Sequence, residues 1–162
     1  MVVFKDPGAW LEPPPQLPQR PLQRALTVTL TFVGLLPQDS GEHLIKRVIG
    51  LPGDTITCCD AQGRLKVNGT PIDEAYVRTG SQPSSDPFTV TVQAGHLWVM
   101  GDHRNRSADS RYHRTINDGQ VPLENVVGKA FVIVWPFSNA GGVENPPQIY
   151  ARVPDAPSPG AT

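Results

Sequence analysis

Lys46 lies inside an apolar run, Leu44-Ile45-Lys46-Arg47-Val48-Ile49. A lysine with such flanks in a strand has two fates. Facing water, it is an ordinary surface ammonium. Facing inward, desolvation disfavours the charged form and lowers its pKa. A neutral amine at working pH can take the proton of a serine hydroxyl, the task histidine performs in the familiar triad. These residues alone leave both fates open.

A second segment is equally dense in chemistry: Met100-Gly-Asp-His-Arg-Asn-Arg-Ser-Ala-Asp-Ser-Arg111. It follows the apolar Leu97-Trp98-Val99, so a polar loop is expected at the end of a buried strand. Ser107, Asp109 and Arg111 alternate with Ala108 and Ser110, and in an extended loop they share one side. A hydroxyl, a carboxylate and a guanidinium placed so form a self-consistent hydrogen-bonded cluster. The hydroxyl can hold a neighbouring amine without adding a charge that would raise its pKa. The plainer alternative is a polar turn with a surface salt bridge of little energetic weight.

Other candidates carry less. His43, His96, His103 and His113 read as solvated loop or surface histidines. The two cysteines, Cys58 and Cys59, are adjacent. Neighbours in a strand point to opposite faces, so a disulfide between them would be strained, and one buried and one exposed thiol are expected. With no second Cys/His cluster at ligand spacing, neither a metal site nor a cofactor is expected.

The elements that must position Lys46 and the polar loop are short strands. At 162 residues the chain is sized for one domain. Eighteen prolines and fifteen glycines mark it as turn-rich. Strands are expected at Met1–Phe4, Leu44–Leu51, Thr55–Cys59, Arg64–Val67, Phe88–Val92 and His96–Met100. Leu51-Pro52-Gly53-Asp54 fits a type II turn, and Asn68-Gly69 is the strongest hairpin signal. Phe88–Val92 and His96–Met100 are expected to form a hairpin around Gln93-Ala94-Gly95. Gly128–Trp135 is a long apolar run. Residues 13–21 are too rich in proline for a ladder, and Leu26–Phe32 alternates apolar residues with threonine, as a strand does. The fold class expected is mainly β, an antiparallel barrel- or sandwich-like domain over residues 1–145, with 13–36 as an insertion and 146–162 as a disordered tail.

A balance of 14 basic against 15 acidic side chains gives no electrostatic case for nucleic acid or an anionic membrane surface. The apolar stretch Ala25–Leu36 is shorter than the roughly 20 residues that cross a bilayer. The chain on its own reads as soluble, with lipid contact by residues 26–36 as an alternative.

Ile45-Lys-Arg-Val-Ile-Gly-Leu-Pro-Gly-Asp54, followed by Met100-Gly-Asp and Ser107-Ala-Asp-Ser-Arg111, closely resembles two signature boxes of the type I signal peptidases. These are membrane-bound serine endopeptidases that remove signal peptides from exported precursors. The resemblance covers most of residues 1–137. It implies that Lys46 is the general base of a Ser/Lys dyad and that Ser107 orients it. Asp109 and Arg111 would be a supporting ion pair beside the site, and Arg47 and Asp102 a second pair linking the boxes. The implied partner is the signal peptide of a precursor, bound as an added strand and cut after a small-x-small motif. The implied location is the extracytoplasmic face of the cytoplasmic membrane, reached through an N-terminal anchor.

His103 and Arg106 stand where the commoner family residue is Asn. More consequentially, the family's Ser-Met-x-Pro box, which holds the nucleophile, has no match here. Val2-Val3-Phe4-Lys5 resembles the strand that follows it. Ser40, Ser81, Ser84, Ser85 and Ser138 lie in loop contexts without that motif. The expectation is a catalytic domain truncated after its nucleophile and inactive as it stands. A non-catalytic signal-peptide-binding or assembly module is the alternative. A self-cleaving repressor-type protease, which uses the same dyad, lacks the second box.

Overall fold

A computed structural model describes residues 1–8, 10–11, 42–133, 141–143 and 146–156. The strands are β1 (Val2–Lys5), β2 (His43–Gly50), β3 (Thr55–Cys58), β4 (Leu65–Val67), β5 (Thr70–Pro71), β6 (Phe88–Thr91), β7 (His96–Met100), β8 (Val121–Pro122), β9 (Val126–Lys129), β10 (Val132–Ile133) and β11 (Gly141–Gly142). They form a five-stranded sheet in the order β8-β7-β2-β1-β9, a four-stranded sheet β5-β4-β3-β6, and the pair β10-β11. All pairings are antiparallel. The fold is therefore mainly β, as expected, and the described residues build packed sheets without a closed barrel.

Turn chemistry sets the register. Gly53 has φ +90°, and the Asp54 N–H donates to the Leu51 carbonyl at 3.0 Å, closing the turn after β2. Asn68 and Gly69 both have positive φ, 50° and 80°, as a two-residue hairpin between β4 and β5 requires.

Period-two alternation then sorts the side chains of β2 and β7 between two cores. Ile49, Trp98 and Met100 face the four-stranded sheet and pack with Ile56, Leu65, Val67, Ile72, Val90 and Val92. Leu44, Leu97 and Val99 face the other way and pack with Phe4, Trp10 and Val121. The central sheet is thus buried on both faces near its middle, which is why β7 reads as an unbroken apolar run.

Four expectations need correction. Phe88–Val92 and His96–Met100 do not form a hairpin: β6 pairs with β3, and β7 with β2 and β8. The hydrogen bonds of Val92 are taken by the β2–β3 turn, its N–H by the Asp54 carbonyl and its carbonyl by the Gly53 N–H. The chain therefore leaves one sheet at Val92 and enters the other at His96.

Cys58 and Cys59 form a disulfide, not one buried and one exposed thiol. The peptide bond between them is cis.

Residues 146–156 do not trail as a tail. Ile149, Tyr150 and Val153 pack against the inter-sheet core, and the Pro154 carbonyl accepts from Asn68 Nδ2 at 2.9 Å. Three apolar side chains in five residues give this short segment enough surface to bury, which its Pro- and Ala-rich average composition conceals.

His113 is not a solvated histidine. Its ring stacks on Trp10, with centroids 4.5 Å apart and planes 12° from parallel. Burial pushes its pKa down, against the opposing pull of Asp109 and Asp6.

The proline-rich 13–21 stretch and the threonine-alternating Leu26–Phe32 segment lie outside the described residues. Among those described, no helix is long and apolar enough to cross a membrane. The apolar run after Gly128 divides between β9 and β10, where Phe131, Val132 and Ile133 are exposed.

Trp98 is fully buried between the sheets, 5.5 Å from the Phe88 ring. Trp98→Ala is expected to cost about 3–5 kcal/mol of stability, measured by chemical denaturation with two-state analysis.

Candidate active site

Alternation along β2 also decides the fate of the lysine. Leu44, Lys46 and Val48 share one face of the strand, and Ile45, Arg47 and Ile49 the other. Lys46 therefore stands between two residues of the Phe4–Trp10 core, opposite Val2 of β1 in register. It is half-buried.

Its Nζ donates to Ser107 Oγ at 2.8 Å. Burial pushes the amine's pKa below the ordinary lysine value; the nearby Asp109 carboxylate pulls it back up and the Arg111 guanidinium pushes it down again. A neutral hydroxyl as hydrogen-bond partner orients the amine without stabilising its charged form as a carboxylate would.

Ser107 reaches Lys46 because Gly101 lets it. A Cβ on Gly101 would overlap both the Cβ and the Oγ of Ser107. Gly101 is at the exit of β7, where the chain turns into the polar loop, and its N–H donates to Asp109 Oδ2 at 2.9 Å. Asp109 is fully buried, and Arg111 clamps it with Nε on Oδ1 and Nη2 on Oδ2, both at 2.8 Å. A bidentate pair of this kind compensates both charges and fixes the loop. Ser107, Asp109 and Arg111 are thus brought together, as their spacing predicts.

Arg47, on the opposite face of β2, pairs bidentately with Asp102, Nε to Oδ1 and Nη2 to Oδ2, both at 2.8 Å. Its guanidinium also covers the Tyr76 ring, 3.7 Å from the centroid. All six residues singled out from the sequence therefore converge around β2 and the 101–111 loop, in two groups on the two faces of one strand.

The sequence reading missed three residues. Arg104 is fully buried and forms an ion pair with Glu74, with Nη1 to Oε2 at 2.8 Å and Nη2 to Oε1 at 2.5 Å. Tyr76 donates from Oη to the same Glu74 Oε1, and burial raises its pKa, with the Glu74 charge adding to the effect. Nothing local signals the Glu74–Arg104 contact, which joins positions 30 residues apart. Ser110, also fully buried, accepts from the Val99 N–H at 2.9 Å and serves the backbone. Ser84 and Ser85 make only exposed contacts with Asp86.

The arrangement offers an amine biased toward neutrality, held by a hydroxyl and flanked by compensated ion pairs. Such an amine can accept a proton from a hydroxyl or from water.

The family described as "Signal peptidase, peptidase S26" matches residues 1–135. A probable signal peptidase I of Mycobacterium leprae is 39% identical, over 88% of this chain and 57% of its own. Signal peptidase I of Mycobacterium tuberculosis is 39% identical, over 91% of this chain and 56% of its own. The chain thus spans little more than half the length of these relatives. A crystal structure of a signal peptidase I from Enterococcus faecalis V583 aligns over 54% of this chain and 82% of its own, at 34% identity and a TM-score of 0.44.

The lowered pKa of Lys46 has a consequence for stability. Its folded-state pKa lies below the unfolded value near 10.5, so the folded protein binds the proton more weakly. Stability is therefore lost as pH falls from about 10.5 through the folded pKa. Lys46→Met removes that loss. Its thermal midpoint is expected to exceed that of the parent most at neutral pH, and the gap to narrow as pH rises toward 10.5. A gap that does not change with pH would mean that the amine is not desolvated.

Proposed function

The chain belongs to the signal peptidase family, peptidase S26, and we propose that it is the catalytic domain of a serine-type signal peptidase I with Lys46 as general base. The observation that carries this reading is the Lys46 Nζ–Ser107 Oγ hydrogen bond on an otherwise apolar face of β2. An amine so placed is biased toward the neutral form, and Ser107 occupies one of its hydrogen-bonding directions.

In this reading the substrate is the signal peptide of an exported precursor, cut after a small-x-small motif. Lys46 takes the proton of a serine hydroxyl as the oxygen attacks the scissile carbonyl carbon. The tetrahedral intermediate collapses as the proton passes to the departing amine, leaving an ester. Lys46 then takes a proton from water, which attacks the ester and releases the acid, and the serine regains its proton.

Ser107 is poorly suited to be that nucleophile, since it is only 8% exposed and is packed against Gly101. The attacking serine is assigned instead to a segment outside these 162 residues, together with the anchor that would hold the enzyme at the extracytoplasmic face of the membrane.

The test uses a precursor with an Ala-x-Ala site, incubated with this chain and with a form extended N-terminally to the length of its relatives. Cleavage by the extended form alone is expected. In that form Lys46→Arg should lower kcat/KM at least about 100-fold while leaving the near-ultraviolet circular dichroism unchanged. Full activity in Lys46→Arg would overturn the assignment. Cleavage by this chain without the extension would overturn the placement of the nucleophile outside it. Binding of the precursor without cleavage by either form would make this a signal-peptide-binding module.

A further inference from the structure

The 101–111 loop that carries Ser107 is gripped from outside by a segment of the other half of the molecule. Glu74, Tyr76 and Arg78 follow β5 of the four-stranded sheet, and each of them contacts this loop or the arginine that anchors it. Glu74 holds Arg104 through both carboxylate oxygens. Tyr76 lies beneath the guanidinium of Arg47, which also pairs with Asp102. The Arg78 N–H donates to the Asp102 carbonyl at 3.1 Å.

Arg104 is the point through which this grip reaches the site. Its Nε donates to the Gly101 carbonyl at 3.0 Å, and its own carbonyl accepts from Arg111 Nη2 at 2.8 Å. Arg104 thus joins the residue that makes room for Ser107, through its side chain, to the residue that clamps Asp109, through its backbone carbonyl. With Arg104 fully buried and the Glu74 side chain only 6% exposed, neither group has water as an alternative partner.

We propose that Glu74 is a positioning residue: by fixing Arg104 it holds Gly101 and Arg111 at the separation that seats Ser107 against Lys46. This rests on the reading of Lys46 as a desolvated base. The Glu74–Arg104 pair does not touch the amine. It acts by keeping the loop closed over Lys46, so that water does not replace Ser107 at Nζ.

The readout is the titration of Lys46 itself, which needs no substrate and no nucleophile. This chain, labelled with 13C-lysine, has four lysines, and the Lys46 resonance is identified by its absence in Lys46→Arg. The Cε chemical shift is followed against pH in three forms: the parent, Glu74→Gln, and the double variant Glu74→Leu with Arg104→Met. The double variant removes both buried charges while keeping apolar volume, so it restores packing without restoring the contacts to Gly101.

The expected result is a Lys46 midpoint that rises by about one pH unit in both variants relative to the parent, with the double variant still folded by near-ultraviolet circular dichroism. A midpoint unchanged in Glu74→Gln overturns the proposal. So does a return to the parent value in the double variant, because the pair would then only fill space. Unfolding of both variants overturns it as well, by making the pair a requirement of the fold. If Lys46 in the parent already titrates at the ordinary lysine value, the base assignment fails along with the proposal, an outcome recognisable without any Glu74 variant.

Discussion

Two cationic side chains adjacent in β2 face opposite sides of one sheet, and each must be satisfied there. A β-strand allows no other arrangement, because successive Cβ atoms point in opposite directions. Lys46 enters the face shared by Leu44 and Val48, where its partner is a neutral hydroxyl. Arg47 enters the face of Ile49, where its partners include a carboxylate and an aromatic ring. The two solutions suit the two side chains. A guanidinium stays charged in any protein environment, so it requires a counter-charge when buried. An amine can instead release its proton, and burial beside a hydroxyl favours that release.

How far the amine's pKa falls also depends on how the other charges are grouped. Asp109 lies close enough to Lys46 to favour the ammonium, and unaccompanied it would do so strongly. Arg111 holds that carboxylate bidentately and opposes its influence on Lys46. The remaining bias comes from burial, which the loop provides by covering the strand. Gly101 is the steric condition for this cover, since any side chain there would collide with Ser107.

Among the described residues, the second sheet holds no hydrogen-bond partner of Lys46, yet it shapes the loop. The connection after β5 delivers Glu74 and Tyr76 to Arg104 and Arg47, so the two halves meet through buried charge pairs as well as through the Trp98–Val90 core. Such pairs add little net stability when each is complete, but removing one partner strands the other without solvent. They define one arrangement of the loop more than they strengthen the fold. The 146–156 segment closes the same side of the molecule, with Tyr150 packed on the inter-sheet core.

Much of this was legible in the residues. Strand positions follow from period-two alternation, and the turns at Pro52-Gly53 and Asn68-Gly69 follow from the φ angles those residues permit. The polar loop could be read as a cluster because Ser107, Asp109 and Arg111 lie two positions apart. All of these are local signals, carried by a few consecutive residues. Strand pairing was not local, and the apparent hairpin at residues 88–100 failed because the turn at Gly53-Asp54 takes the hydrogen bonds of Val92. The grip of Glu74 on Arg104 and the docking of residues 146–156 were equally invisible, since a surface-type carboxylate or a Pro-rich stretch looks the same whether or not a distant partner exists. Composition and spacing by themselves determined which side chains could do chemistry and on which face of a strand each would stand. Whether Lys46 faced water or an apolar wall was decided only when the Phe4–Trp10 core and the 101–111 loop assembled on its face of β2, because desolvation is a property of what surrounds a group and not of its neighbours in the chain.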